Sequence, residues 1–254
     1  MTEEDIRAGL ERLSPFFHTI ALPYGLSTHD RSSVRADEEG ARVADLKGVV
    51  WPLVEQHLGG FDGLRVLDVA TNAGGFAIEA ARSGAAEVVG TDVVEHYLEQ
   101  ADFVRRALEL DNLSFRRQAI ESMSLKRDGA FDLVFCFDIL YHLENPVLAM
   151  RRLAELTRTM MVIETRVTAD PGLKGPAWLM NFLPPSEEGS LDRSTSRWRT
   201  RTMCQFRPTA EAVTVLLEFL GFDDIEQTRL GDYPGVQDFE VDTELMLYVA
   251  RRRD

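Results

Sequence analysis

The segment Val66-Leu67-Asp68-Val69-Ala70-Thr71-Asn72-Ala73-Gly74-Gly75-Phe76 combines a short apolar run, an acidic residue and a run of small residues. An amphipathic stretch begins at Phe76. This order predicts the strand, tight turn and helix of a nucleotide-binding α/β unit. Small residues allow the backbone to approach a ligand closely, and the first turn of a helix offers unpaired N–H groups. We therefore expect the rest of the chain to form a scaffold around this turn.

Strands and helices alternate on both sides of the turn. We expect strands at residues 65–70, 87–91, 113–117, 131–137, 159–164, 224–230 and 244–250. We expect helices at residues 75–83, 94–110, 146–156 and 209–220. Such alternation is typical of a parallel sheet with right-handed crossovers and with helices on both faces. The expected fold class is therefore α/β, with a seven-stranded, mostly parallel sheet.

Two segments lie outside this alternation. Residues 1–60 predict an N-terminal helical cap, with a helix over 3–13, an aromatic, turn-rich and non-periodic segment over 16–28, a polar loop over 29–40 and a helix over 42–58. Residues 166–207 hold four prolines and two of the three tryptophans, which favours an insertion or lid after strand five. We therefore expect the cap to precede a main domain over 61–254 that contains the insertion.

The composition disfavours several classes of protein. Lys and Arg number 28 against 42 Asp and Glu among 254 residues, and the net charge of −14 disfavours a general nucleic-acid-binding protein. The two cysteines, Cys136 and Cys204, fit neither a disulfide framework nor a metal site. The N-terminus lacks the basic and apolar regions of a signal peptide, and no apolar run approaches the ~18 residues of a membrane span. We expect a cytoplasmic protein without metal or membrane contact, and a homodimer stays open.

An acidic residue, Asp92, ends the second expected strand. A carboxylate about 20 residues past such a turn is the expected partner of a ribose diol, because it accepts two hydroxyl hydrogen bonds. The alternative is that Asp92 only caps the following helix. The turn lacks the three spaced glycines of G-x-G-x-x-G, which disfavours an NAD-dependent oxidoreductase.

Three motifs resemble those of the class I S-adenosylmethionine-dependent methyltransferases: Val66–Gly74, Val88–Asp92 and Phe131–Cys136. Three others are similar to one subgroup of that family: His18–Gly25, Tyr97–Ala101 and Ile139–Pro146. The subgroup includes the tRNA wobble-uridine carboxymethyltransferase and many small-molecule methyltransferases. The resemblance covers residues 16–165, with a weaker match over 208–250, and implies the Rossmann-like methyltransferase fold.

The resemblance implies S-adenosylmethionine as the cofactor and S-adenosylhomocysteine as the product. It assigns the methionine part to Asp68, Ala70, Asn72 and Gly74, the ribose to Asp92, the adenine to Val93, Ile120 and Glu121, and the sulfonium to Cys136 and Phe137. Ala70 stands where the family usually has glycine, and alanine fits there without strain only if its φ is negative. Asp138 also stands at a frequent glycine position, and is expected in the active site as a charge partner or a helix cap.

The implied reaction is an in-line displacement at an electrophilic methyl group, for which the enzyme aligns the reactants and excludes water. A base is needed only where the acceptor carries its proton into the transition state. Tyr141 and His142, just past strand four, are candidate catalytic residues, and so is His18 if the N-terminal segment folds over the pocket. The alternatives are that His142 caps a helix or packs on a carbonyl, and that Tyr141 fills space.

Further substrate contacts are expected from the insertion. Arg199 and Arg201 belong to a cluster of arginines around Trp198. Their guanidinium groups could clamp a carboxylate or phosphate while the indole stacks on a ring. The alternative is a solvated loop that balances nearby acids.

Four functions stay open at this point. Methylation of a small molecule at oxygen or nitrogen, for instance in secondary metabolism, is favoured. A tRNA-modifying enzyme is the first alternative, although the negative charge counts against tRNA. Carboxy-S-adenosylmethionine would then need a cation beside its extra carboxylate, for example Lys47, and is less favoured than the ordinary cofactor. A non-catalytic cofactor-binding protein and an NAD-linked oxidoreductase are the remaining alternatives.

Overall fold

The computed structural model of the protein describes residues 1–28, 34–170, 172–182, 204–232 and 243–252. Its helices are α1 (Glu3–Leu13), α2 (Val34–Leu58), α3 (Gly75–Arg82), α4 (Glu95–Ala107), α5 (Leu125–Asp128), α6 (Pro146–Leu156) and α7 (Ala210–Phe219). Its strands are β1 (Arg65–Val69), β2 (Glu87–Asp92), β3 (Leu113–Arg117), β4 (Phe131–Phe137), β5 (Thr157–Thr168), β6 (Trp178–Phe182), β7 (Cys204–Pro208), β8 (Asp224–Arg229) and β9 (Thr243–Arg251). The chain divides into two compact units, Met1–Ala119 and Ile120–Asp254.

Seven of these strands belong to one sheet, in the order β3-β2-β1-β4-β5-β9-β8. β1 runs parallel to β2, β2 to β3, and β4 to β5, whereas β9 is antiparallel to both β5 and β8. The predicted α/β class and the seven-stranded, mostly parallel sheet are confirmed. β5 continues beyond its expected end because its last residues still pair with β9, as far as Thr168 opposite Thr243.

In the first unit, the parallel strands bring two acidic residues to one edge of the sheet. Asp68 of β1 lies opposite Gly90 of β2, and Asp92 is the last residue of β2. β1 is buried from Val66 to Val69, and α3 and α4 pack on the strands. The strands that carry this edge are therefore fixed by the core of the unit. Ligands of open α/β sheets bind beyond the carboxyl ends of such strands.

Helix α4 also anchors the N-terminal residues of this unit. Gln100, which is fully buried, donates from Nε2 to the carbonyl oxygens of Leu13 and Pro15 at 2.7 and 2.8 Å. Gly9 lets α1 approach closely, because a Cβ at this position would lie 2.1 Å from Cε2 of Phe103. The start of the chain is therefore packed against the same helix that follows β2.

The segment after α1 differs from the non-periodic one expected. Alternate residues are buried between neighbours that are more exposed: Phe16, His18, Ile20 and Leu22. This is the pattern of an extended chain with one packed face. It is hidden in the sequence because one buried position carries a histidine.

The loop expected over residues 29–40 is also corrected. Residues 34–40 are helical, since α2 begins at Val34, and residues 29–33 lie outside the described part of the chain.

In the second unit, the predicted insertion contains an antiparallel hairpin. β6 and β7 form a two-stranded sheet of their own, in which Trp178 pairs with Pro208 and Phe182 with Cys204. The rings of Trp178 and Phe206 pack edge to face at 6.4 Å. Within the described residues, no helix is long and apolar enough to cross a membrane.

Candidate active site

Asp68 is buried at the end of β1 and organises the turn that follows it. Its Oδ2 accepts hydrogen bonds from the Thr71 hydroxyl at 2.6 Å and from the Ala77 amide of α3 at 3.1 Å. Burial raises the pKa of this carboxyl to about 7, with a smaller contribution from the charge of Asp92. Oδ1 accepts no hydrogen bond from the described residues, which leaves it for a cationic ligand group.

Asp92 connects the turn after β1 with the turn after β2. Its Oδ2 accepts the Asn72 amide at 3.0 Å, and its Oδ1 accepts the Val94 amide at 2.9 Å. Burial raises the pKa of Asp92, although these two amides pull it down. Val94 is the N-cap residue of α4, and Asp92 accepts its amide. Because Asp92 also accepts the Asn72 amide, it does more than cap that helix. A carboxylate has about four acceptor positions, and two amides leave capacity for a diol.

The turn between β1 and α3 holds three residues with left-handed φ: Ala70 at 54°, Asn72 at 51° and Gly74 at 82°. The Thr71 amide donates to the Thr91 carbonyl at 2.9 Å, and the Gly74 amide donates to the Thr71 carbonyl at 2.8 Å. Ala70 therefore does not have the negative φ that would make alanine strain-free, and this conformation costs an alanine about 1 kcal/mol.

His18 lies against the beginning of α3. Its Nδ1 accepts the Gly75 amide at 2.9 Å, and its buried ring packs edge to face on Phe76 at 6.2 Å. The first turn of α3 thus gives one amide to His18 and another to Asp68, whereas the sequence favoured unpaired N–H groups there. In a neutral imidazole with an accepting Nδ1, the proton is on Nε2.

The other expected cofactor residues have distinct environments. Val93, next to Asp92, keeps 37% of its surface exposed. In the second unit, Ile120 is buried and Glu121 half-buried in the short turn Ile120–Ser122. Cys136 and Phe137 are buried at the end of β4.

A second polar cluster lies just past β4, within the second unit. Asp138 has a φ of 55°, and its amide donates to the Glu164 carbonyl at 3.2 Å. The Tyr141 hydroxyl donates a short hydrogen bond to Oδ1 of Asp138. The centres of the His142 and Tyr141 rings lie 4.1 Å apart, and the Arg207 guanidinium lies 5.7 Å from the centre of the Tyr141 ring. The structure therefore brings together Asp138, Tyr141 and His142, all of which the sequence analysis named.

Some site residues escape sequence reasoning or lie outside the structure. Trp198, Arg199 and Arg201 lie outside the described residues. Glu164, buried in β5 directly after the apolar run Met160–Ile163, was missed, although an acidic residue at that position was a readable signal. Across the described ranges, no group of three or more His, Cys, Asp or Glu could hold a metal ion.

The chain is similar to several known methyltransferases. A family model described as a methyltransferase domain matches residues 61–174. The ubiquinone biosynthesis O-methyltransferase of Alkalilimnicola ehrlichii is 30% identical over an alignment of 175 residues, which covers 62% of this chain and 70% of that protein. The tRNA U34 carboxymethyltransferase of Idiomarina loihiensis is 31% identical over an alignment of 181 residues, which covers 69% of this chain but only 50% of that protein.

A solved structure has a similar fold. The N-terminal domain of EvdMO1 with SAH bound superimposes with a TM-score of 0.72 at 18% identity and covers 100% of this chain and 98% of that chain. The fold, the matching domain model and the identity to the Alkalilimnicola O-methyltransferase lead to one conclusion: the chain belongs to the S-adenosylmethionine-dependent methyltransferase family.

Proposed function

We propose that the protein transfers the methyl group of S-adenosylmethionine to an oxygen or nitrogen atom of a small molecule. The observation that carries this proposal is the pair of buried carboxylates, Asp68 and Asp92, at one edge of the sheet and joined through the Asn72 turn. Asp92 has acceptor capacity for the ribose hydroxyls, and Oδ1 of Asp68 faces no described donor that would compete with the cofactor's ammonium group. Val93 supplies an exposed apolar surface for the adenine.

The residues of the second unit are assigned to the cofactor by the family pattern. We propose that Ile120 and Glu121 contact the adenine and that Cys136 and Phe137 lie near the sulfonium. Three of the four are buried and apolar, or weakly polar, as contacts to an adenine and a sulfonium require. When it is bound, the cofactor supplies an electrophilic methyl group, and the chain supplies alignment and exclusion of water.

Proton removal from the acceptor is assigned to the cluster past β4. Asp138 fixes the phenol of Tyr141 by a short hydrogen bond, and the His142 ring packs on the Tyr141 ring. Tyr141 and His142 are therefore the proposed catalytic residues, with His142 as the base for an acceptor that carries a proton. Asp138 contacts the substrate in this proposal, together with Trp198, Arg199 and Arg201 of the insertion.

The ordinary cofactor is favoured over its carboxylated form by the environment of Lys47. Its ammonium forms a short ion pair with Glu79 of α3 and lies 5.6 Å from the centre of the Trp51 ring. A cation already neutralised by a carboxylate is a poor partner for a second one. Lys47 therefore gives no support to carboxy-S-adenosylmethionine.

A second candidate function is the modification of tRNA. It is favoured by the similarity to the tRNA U34 carboxymethyltransferase of Idiomarina loihiensis, and disfavoured by the net charge of −14. We propose that the protein is a cytoplasmic enzyme that acts on small molecules. Measurement of its mass in solution tests whether it forms a homodimer.

The test begins with calorimetric titration of S-adenosylmethionine and S-adenosylhomocysteine into the purified chain. We expect both to bind, and failure of both would overturn the proposal. Transfer of a labelled methyl group is then measured with a panel of hydroxylated and amino-bearing small molecules and, separately, with unmodified tRNA. Label on a small molecule supports the proposal, whereas label on tRNA alone supports the second candidate.

A further inference from the structure

We propose that His18 is a positioning residue for the cofactor: its imidazole fixes the start of α3 and so holds the turn between β1 and α3 in its binding form. This inference rests on the proposed function, because it concerns the same cofactor turn. It assigns His18 a role other than that of a base.

Helix α3 has no capping side chain of its own. Its N-cap residue is Gly74, so the amides of the first helical turn must find acceptors elsewhere in the unit. His18 takes the Gly75 amide at 2.9 Å, and Asp68 takes the Ala77 amide at 3.1 Å. The side chains of His18 and Asp68, which lie far from each other in the sequence, thus accept two of the amides at the start of the helix. A buried amide that loses its acceptor is costly, so the arrangement depends on both.

The fit between His18 and Gly75 is steric as well as polar. A Cβ on Gly75 would lie 2.7 Å from Nδ1 and 2.9 Å from Cγ of His18, which is too close for either atom. Gly75 is not among the residues with positive φ, so its backbone conformation does not demand glycine. The close approach of the imidazole is the reason that this position has no side chain.

The imidazole is itself held in position by the segment that carries it. The Thr28 hydroxyl donates to the His18 carbonyl, and Oγ1 of Thr28 accepts the Ile20 amide at 2.7 Å. The Phe17 ring packs edge to face on the His18 ring at 5.3 Å. The segment therefore presents Nδ1 to α3 in a fixed position, and its lone pair is used by the Gly75 amide.

Positioning matters here because the turn is held in an unfavourable conformation. Ala70 and Asn72 both have left-handed φ, which non-glycine residues adopt reluctantly. Contacts at either end of the turn must keep it in place, and binding is stronger when a site is organised in advance. Loss of the His18 contact should therefore weaken cofactor binding without removing any group that touches the cofactor.

The experiment is calorimetric titration of S-adenosylhomocysteine into the whole chain and its variants. We expect His18→Ala to raise the Kd about tenfold, the usual effect of a lost hydrogen bond to a buried amide. His18→Asn should restore most of the affinity, because its Oδ1 can occupy the place of Nδ1. Rescue by Asn is not expected of a side chain that only fills space.

Gly75→Ala tests the same contact from the other side, since it displaces the imidazole without removing it. We expect a loss similar to that of His18→Ala, and a double variant no weaker than either single one. Thermal unfolding confirms that each variant is folded, and Gly75→Ala decides the matter if His18→Ala does not fold. A Kd within twofold of the unchanged chain for both His18→Ala and Gly75→Ala, or an Asn variant as weak as the Ala variant, would overturn the inference. Absence of binding by the unchanged chain would instead overturn the proposed function.

Discussion

The Thr71 hydroxyl and the Ala77 amide donate to the same oxygen of Asp68, and the hydroxyl contact is 2.6 Å long. The buried carboxyl has a pKa of about 7, whereas the unfolded chain gives about 4. The folded chain therefore binds more protons than the unfolded chain between these values, and the free energy of unfolding falls as the pH rises through this window. Asp68→Asn keeps an accepting oxygen but does not ionise, so we expect a flatter dependence in urea unfolding from pH 4 to 7. An unchanged dependence would show that another group causes it.

Cofactor binding should be linked to protons through the same carboxyl. An ammonium group beside Oδ1 favours the ionised form and lowers the pKa, so a proton is released on binding. Near pH 7 we expect release of about half a proton, because the carboxyl is then about half protonated. Calorimetry in buffers of different ionisation enthalpy measures this number. Asp68→Asn is the control and should abolish the release.

Ala70 should be replaceable by glycine with a gain in stability. Ala70→Gly removes the strain of a left-handed alanine, and we expect the free energy of unfolding to rise by about 0.5–1 kcal/mol. The matched control is Ala73→Gly in the same turn, where the alanine is fully buried and has no positive φ. This control should be destabilising. Equal effects of the two substitutions in urea unfolding would contradict the assigned strain.

Asp92 should recognise the ribose through its charge. Asp92→Asn can accept only one of the Asn72 and Val94 amides, and it turns a donor toward the other. We expect its Kd for S-adenosylhomocysteine to rise about 10- to 100-fold, the range for hydrogen bonds to a charged group. The 2′-deoxy analogue should bind the unchanged chain more weakly than S-adenosylhomocysteine does. Its affinity for Asp92→Asn should be little lower than its affinity for the unchanged chain. A full additional loss would mean that Asp92 does not contact the diol.

Tyr141 and Asp138 should act as a unit in methyl transfer. Tyr141→Phe removes the hydroxyl that donates a hydrogen bond to Asp138. We expect kcat to fall at least about tenfold with the methyl acceptor that the screen identifies. The Kd for S-adenosylhomocysteine should stay the same. Asp138→Asn should lower kcat by a similar factor, and the kcat of the double variant should be no lower than that of either single variant. Additive losses would show that the two residues act separately.

The fold was predictable because burial is written into the sequence as periodicity. Phe131–Phe137 is continuously apolar apart from Asp132, as a strand buried on both faces must be, and it is β4 in the structure. The extended segment from Phe16 to Leu22 was not predicted, because His18 interrupts its apolar series. The start of α2 was placed too late for a similar reason, since residues 34–40 are mostly polar and charged.

The placement of Asp68 and Asp92 at one edge of the sheet was predictable, because each lies in or at the end of an apolar run that forms a strand. Contacts between distant residues were not predictable. The Gly75 amide meets His18 across 57 positions, and no local pattern encodes that pairing. The positive φ of Ala70 was also hidden, because alanine ordinarily indicates a negative one.

The hairpin of β6 and β7 has an evolutionary consequence. Its strands pair with each other in a sheet of their own, and none of their ladder hydrogen bonds belongs to the seven-stranded sheet. Mutations, insertions or exchanges between Phe182 and Cys204 can therefore accumulate without breaking the main sheet. Sequence variation between these two strands is therefore compatible with an unchanged β1–α3 turn.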